Sequence, residues 1–378
     1  MITPELIAAR ERFIRPSAIS SIAACPGKPT MEAAMLLERG ETPAAAEADM
    51  GADLHRRCQE AIDFWRSGQE WHDVLCWAIG TATDDELDGW SIFCLRFSLE
   101  TVRDLIGKYG ATREQVQTEI KLPVEVIGFA NPGTADVVIS TPDVCVIADF
   151  KQGWVDQGDC ADHEQTGVYA AAAAEMFSAP KVITYLIQPR AEKEHRVPPP
   201  ALYDAQALRD VRASTAATIR LARGDNPELH PSYNACVYCS ALHRCRAAKE
   251  WVLNAAEALE VIGFPSDPQD ASEHVAAVKV AEKFAKDAKP EIKKVMTAGM
   301  VIPGWKLAAG SKRTSISSPG TALQRLLDHG HNMITLANLG AIKLAPAALP
   351  PHAAELVADY VSTKQAAPSL TADKRGAA

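Results

Sequence analysis

No stretch of this sequence approaches the roughly 20 consecutive apolar residues needed to cross a bilayer as a helix, so a membrane partner is not expected. The opening residues set Glu5, Arg10, Glu11 and Arg12 among apolar ones and lack the apolar stretch of a secretory signal. The expected location is therefore cytoplasmic. An excess of positive charge is missing too. Lys and Arg number 39 against 48 Asp and Glu, a formal net charge of −9. That weighs against a nucleic-acid partner held by overall charge, although steering depends on local field. Cysteines number nine, which is odd, and with no export signal they do not form a disulfide framework. There is no internal repeat. What is present is ordinary for a soluble globular chain: 47% apolar and 23% charged residues in 378, enough for two or three compact units.

Pattern divides the chain into four segments. Residues 1–110 read as a helical N-terminal region. Ser17 is expected to cap a short helix ending at Pro26-Gly27, and longer helices are expected over Ala44–Ser67 and Asp84–Gly107. Residues 111–223 read as an α/β core. Gln117–Leu122, Glu125–Phe129, Thr134–Ile139 and Val144–Phe150 are Val- and Ile-rich runs separated by turn signals, a β-meander. A helix over Asp159–Phe177, a strand over Lys181–Gln188 and a helix over 203–223 come next. Residues 224–262 carry a loop with three cysteines and then a helix. Residues 263–378 form a mainly helical extension, with a small hairpin from Pro303 to Ser317 and a frayed tail from Gln365.

The most informative segment is Gly133-Thr134-Ala135-Asp136, then a turn, then Ala148-Asp149-Phe150-Lys151. Asp136 opens one strand and Asp149 closes the next. In an antiparallel hairpin both carboxylates lie toward one edge. Lys151, two residues on, projects with Asp149. Two carboxylates can hold a hard divalent cation, Mg²⁺ or Mn²⁺. Such an ion activates water and offsets charge on a phosphate, and a lysine can orient the water or balance developing charge. Asp-x-Lys alone is common and reads equally as a surface ion pair. Its place one hairpin after a second Asp carries the argument. His55 lies on the helix before the meander and could add a nitrogen ligand. A lone helical histidine is more often structural. Gln165 and Tyr169 share one face of the following helix. Glu119, on the first strand, is a possible further ligand by position only.

Cys236-x2-Cys239-x5-Cys245 is a ligand-like cluster, and Cys25, followed by Pro26, is the candidate fourth ligand. By spacing, a structural Zn²⁺ site and a 4Fe–4S cluster stand nearly even. Cys58, Cys76, Cys94 and Cys145 read as core, and Cys160 is undecided. Arg244 and Arg246 flank the cluster as candidate DNA contacts or plain surface charge. Lys279, Lys283, Lys286, Lys289, Lys293, Lys294, Lys306, Lys312 and Arg313 make one basic stretch, either a solvated face or a DNA-holding arm.

The series Gly51-x3-His55, Gly133-Thr134-Ala135-Asp136, Asp149-Phe150-Lys151 and Gln165-x3-Tyr169 resembles the RecB-like branch of the PD-(D/E)XK nucleases. It is most similar to an uncharacterised phage- and prophage-associated family in that branch. Pro16-Ser17-Ala18 and Cys25-Pro26 resemble that family's opening. Pro303-Gly304-Trp305-Lys306-Leu307 and Leu370-Thr371-Ala372-Asp373-Lys374-Arg375 resemble its C-terminal signatures. The resemblance implies a restriction-endonuclease-like α/β core, a mixed central sheet flanked by helices. It implies a metal-dependent DNA nuclease, an exonuclease or related end-processing enzyme, in phage-type recombination, repair or replication. DNA ends and phage recombination proteins would be its partners. It makes His55, Asp136 and Asp149 metal ligands, Lys151 the catalytic lysine, and Gln165 and Tyr169 the supporting pair. The one-plus-three cysteines resemble the iron–sulfur clasp of AddB-type and CRISPR-associated nucleases, which implies 4Fe–4S. A non-catalytic DNA-binding module on the same fold and an iron–sulfur redox protein are the alternatives. Strand preference, polarity and oligomeric state stay open.

Overall fold

A computed structural model describes residues 3–40, 46–84, 87–154, 156–262, 265–303, 305–309, 312–316, 319–330, 349, 351–365 and 369–372. Gly304, Asp373, Lys374 and Arg375 of the C-terminal signatures lie outside the described residues, as do Ala44 and Ser317, the ends of two expected elements. The chain divides into two compact units, Met1–Lys283 and Phe284–Ala378. No described helix is long and apolar enough to cross a membrane.

The first unit opens with α1 (Pro4–Glu11), α2 (Ile19–Ala24), α3 (Lys28–Arg39), α4 (Ala46–Arg66), α5 (Trp71–Asp84) and α6 (Gly89–Tyr109). Then come β1 (Val116–Leu122), β2 (Gly133–Ser140), β3 (Cys145–Phe150), α7 (Glu164–Phe177), β4 (Val182–Ile187), β5 (Ala201–Tyr203) and α8 (Ala205–Arg223). The short α9 (Tyr233–Cys236) and α10 (Arg246–Ile262) come next, and the boundary between the units falls within α11 (Pro268–Thr297). The strands form one mixed sheet in the order β1-β2-β3-β4-β5. Within it only β3 and β4 run parallel, and α7 makes the crossover that a parallel pair requires.

Both faces of the sheet are covered. One core joins Leu54, Cys58, Ile62 and Trp65 of α4 to Cys94, Leu95 and Leu99 of α6 and to Val146, Ala148 and Phe150 of β3. The other joins Ile19 and Ile22 of α2 to Val168 and the alanines of α7, with Cys145 and Ile147 beneath. β3 is buried along its whole length, as a central strand covered on both faces must be, and its sequence is accordingly almost continuously apolar. Side chains set the helix boundaries. Asp88 accepts from the Ser91 amide at 2.7 Å to start α6, and Gly110, in the left-handed region at φ 58°, ends it.

Several expected elements differ. Glu125–Phe129 is not a strand: Val124–Ile127 makes a 3-10 turn. Pro123 contributes no donor, Gly128 turns at φ 114°, and the buried Val124 and Ile127 stand three apart, the period of that turn. Ser17 caps nothing. It sits inside a 3-10 turn, Pro16–Ala18, that leads into α2, whose N-cap is Ala18. Cys76 is exposed on α5 rather than in the core, and Cys160 is buried with its Sγ accepting from the Leu186 amide at 3.2 Å.

In the second unit, among the described residues, the expected hairpin is absent. Trp305–Ala308 pairs with Ser369–Ala372, and Lys312–Ile316 pairs with Val361–Gln365. The tail is therefore ordered over Ser369–Ala372 instead of frayed. Alternation identifies a strand but not its partner, and here the partners come from the far end of the chain. The helices Pro319–Asp328 and Pro351–Leu356 meet at Ala322, Leu326 and Ala353, with Val357, just past the second helix, in the same cluster.

Candidate metal centre and cysteine clasp

The register Thr118↔Val137 and Ile120↔Ala135 sets Glu119 opposite Asp136. On the other side, Val137↔Ala148 sets Asp149 opposite Asp136. Three carboxylates thus form a row across three adjacent strands. Glu119 holds φ 49°, a left-handed backbone inside a strand. For a residue with a Cβ this costs about 1–3 kcal/mol, and such strain gathers at functional sites.

His55 reaches the row from α4. Leu54 and Cys58 are buried beneath that helix, and His55 sits at the rim of the same face, edge-on to Phe150 with ring centroids 5.8 Å apart. Its Nδ1 lies 3.3 Å from Asp136 Oδ1. The second Asp136 oxygen accepts from the Phe150 amide at 2.6 Å. Ligand atoms of His55, Glu119 and Asp136 lie within 4.8 Å of one another. Burial pushes the Asp136 carboxyl above the usual carboxylate range, against the hydrogen bond with His55 and with help from the Asp149 charge. Burial and then the Asp136 charge raise Glu119 likewise. Burial opposes a charged His55, but the Asp136 hydrogen bond and the surrounding carboxylates outweigh it, so its pKa is raised.

The lysine arrives from the other side. Lys151 Nζ lies 2.7 Å from Asp149 Oδ2 and donates to Gln165 Oε1 at 2.9 Å. Gln165 Nε2 reaches Asp149 Oδ1 at 3.4 Å and donates to the Tyr169 hydroxyl at 3.1 Å. Asp149, Lys151, Gln165 and Tyr169 are therefore one connected network, held by α7. Gly133 belongs to the same construction. A Cβ there would stand 2.7 Å from Tyr169 Cε1 and 3.1 Å from Val124 Cγ1, so only glycine lets the ring lie against β2. Around Gly51 the space is open, and nothing in the packing explains that glycine.

The four cysteines also meet. Cys25, Cys236, Cys239 and Cys245 line a cavity of about 20 Å³ together with Lys28, Met31, Leu229, Pro231, Ala235 and Leu242. Gly27 makes the approach possible. Its amide donates to the Glu228 carbonyl at 2.7 Å, and a Cβ would strike Leu229 and the carbonyls of Pro227 and Glu228. Burial raises the Cys25 and Cys236 thiols and pushes Cys239 up to about 12. As free thiols they are inert, and as ligands they need a cation to hold the thiolate form. Four sulfurs around one cavity suit either a tetrahedral Zn²⁺ or a 4Fe–4S cluster. Arg244 is ion-paired with Glu38 and Arg246 with Glu250 at 2.6 Å, so each flanking arginine has a carboxylate of its own.

Chain comparison gives a family and little else. Residues 31–376 match a sequence family described as "Protein of unknown function (DUF2800)". No curated protein matches. A solved structure titled "Crystal structure of SSO0001" is 20% identical, aligned over 57% of this chain and 94% of its own with a TM-score of 0.23. A likeness at that level carries no argument.

Proposed function

The chain belongs to that family of unknown function, and from this premise we propose that it is a metal-dependent DNA nuclease of the RecB-like PD-(D/E)XK type, hydrolysing phosphodiester bonds at DNA ends. One observation carries the reading: the row Glu119, Asp136, Asp149 with Lys151 2.7 Å from the last of them. The order helix, three antiparallel strands, crossover helix, parallel strand supports the same assignment.

The donor set suits Mg²⁺ or Mn²⁺, since it is carboxylate oxygen with one imidazole, and hard divalent ions prefer oxygen. His55, Glu119, Asp136 and Asp149 would hold the ion. Once bound, it supplies an activated water and neutralises charge on the phosphate. The chain's own residues do the rest. Lys151 is held between Asp149 and Gln165, a position from which its ammonium can orient a nucleophile or balance charge on the phosphate oxygens. Tyr169 fixes Gln165, and Gln165 fixes Lys151. The cysteine cavity supports a 4Fe–4S cluster held by Cys25, Cys236, Cys239 and Cys245, with a structural role.

The test is cleavage of end-labelled linear DNA, single- and double-stranded, by anaerobically purified protein with Mn²⁺ or Mg²⁺. Loss of cleavage in Asp149→Ala, in Lys151→Ala and in chelator is expected, and the labelled products give polarity. Protein with its metals in place that binds DNA without cutting would favour the non-catalytic module instead.

A further inference from the structure

β3 and β4 are parallel and end together. Phe150 pairs with Ile187, and the Lys151 amide donates to the Ile187 carbonyl at 2.9 Å. The segments after these two strands therefore emerge at the same sheet edge as the catalytic lysine. After β3 comes Trp154, three residues past Lys151 and so at most about 11 Å along the chain. After β4 come Arg190 and Arg196.

These residues assemble with the start of α6. The Arg190 guanidinium lies over the Trp154 ring at 4.4 Å from its centroid. Trp90, in the first turn of α6, meets Trp154 at 5.9 Å and Phe93 at 5.7 Å. Arg196 covers Phe93 at 4.8 Å. Trp154 is 61% exposed and Trp90 49%. Two neighbouring tryptophans facing water call for an explanation, because each leaves a large apolar area unburied. Residues on both sides of Trp154 are pinned. Gln152 Nε2 donates to Ser98 Oγ at 3.1 Å, the Gln157 amide to Gln188 Oε1 at 2.7 Å, and Asp156 meets His195 at 2.9 Å.

Donors of both arginines are left open there. Arg190 is only 9% exposed, yet its Nε and Nη2 have no hydrogen-bond partner, and neither does Arg196 Nε. The Asp88 charge is close enough to be felt by Arg190. Among the described residues, no carboxylate lies within ion-pair distance of either arginine. Exposed ring faces beside guanidinium groups with open donors, a few residues along the chain from a carboxylate–lysine pair, suit unstacked bases joined by phosphates. Duplex bases are already stacked on one another and offer only their edges, whereas a single strand offers its faces to aromatic rings.

We propose that Trp90 and Trp154, backed by Arg190 and Arg196, form a stacking platform for single-stranded DNA and deliver it to Lys151. That the strand is cut there rests on the nuclease reading, but binding does not.

Tryptophan fluorescence of the full chain in chelator reads binding without cleavage. The probes are an oligothymidylate, a strand of equal length with abasic sugars, and a blunt duplex. Quenching by the oligothymidylate is expected, with weaker binding of the other two. Trp154→Ala and Trp90→Ala should each lower its affinity about tenfold, within the range of one base–aromatic stack. Trp154→Phe should recover most of the loss. Arg196→Gln should weaken binding and flatten its salt dependence. Trp77→Ala, an exposed tryptophan elsewhere on α5, should change nothing. Equal binding by the tryptophan variants, or an abasic strand bound as tightly as the oligothymidylate, overturns the platform. Cleavage of the same strands with Mn²⁺ separates the two readings. Cutting without any tryptophan dependence leaves the nuclease and removes the platform. Tryptophan-dependent binding without cutting does the reverse, and no binding at all overturns the platform outright.

Discussion

Glu119 shows at the scale of a single residue why the site is built at a cost. Its left-handed backbone is strained in the very strand that carries it to Asp136. Glu119→Gly should leave the melting temperature unchanged or raise it, where glycine at an ordinary strand position lowers it. The same variant should weaken Mn²⁺ binding at least roughly tenfold, the loss typical of even a supporting partner. Calorimetry and thermal melts check both. Titration makes a second prediction. The Asp136 and Glu119 pKa values are raised on folding, so these groups bind protons more tightly in the folded state. Their contribution to stability is complete below the ordinary carboxylate pKa and is lost as pH rises through the raised values. A divalent ion competes with those protons, so its affinity should rise with pH over that window, with protons released. Titrations in two buffers of different ionisation enthalpy would reveal the release. An affinity independent of pH would remove Asp136 and Glu119 from the ligand set. Gly133→Ala makes a third. Its Cβ would press on the Tyr169 ring, an overpacking cost of about 1–3 kcal/mol, measurable by denaturant unfolding.

Elements are legible in proportion to how local their causes are. α4, α6, α7 and α8 follow from helical periodicity with clear stops, and β1, β2, β3 and β4 from apolar runs between turn residues. Asp204, for instance, caps α8 by accepting from the amides of Gln206 and Ala207 at 2.9 Å. Asp204→Ala should cost about 1 kcal/mol in an unfolding titration. α3 and α5 are not legible, because their apolar positions are mixed with polar ones and tertiary packing supplies much of their stability. The 3-10 turn at Val124–Ile127 reads as a strand because two buried residues in a short apolar run satisfy either period.

The proposed cysteine clasp belongs to the whole molecule. It joins segments some 200 residues apart, and polar contacts already hold them: Arg10 donates to the carbonyls of Arg223 and Gly224, Glu11 pairs with Arg223, and Glu32 accepts from Ser240. A cross-link over so long a loop contributes at most about 5 kcal/mol by chain entropy. Cys25→Ser or Cys239→Ser should therefore lose bound iron and lower the melting temperature under anaerobic conditions, yet leave a folded protein. An unchanged melting temperature would show that the site does not clasp the fold.

The sequence by itself determined the residue types and their order: a histidine on a helix, an Asp opening one strand, an Asp-x-Lys closing the next, a Gln-x3-Tyr helix, and one cysteine far from three. These are visible because strand and helix periods are local properties of the chain. Only tertiary structure decided that Glu119 joins the row, since a register and a backbone angle placed it there. The same is true of Gly133, which the ring of a residue 36 positions later requires, and of Trp154, Trp90 and Arg190, which share no motif. Trp154 and Arg190 meet because β3 and β4 run parallel, and parallel strands release their outgoing segments at one edge of the sheet, where the start of α6 brings Trp90.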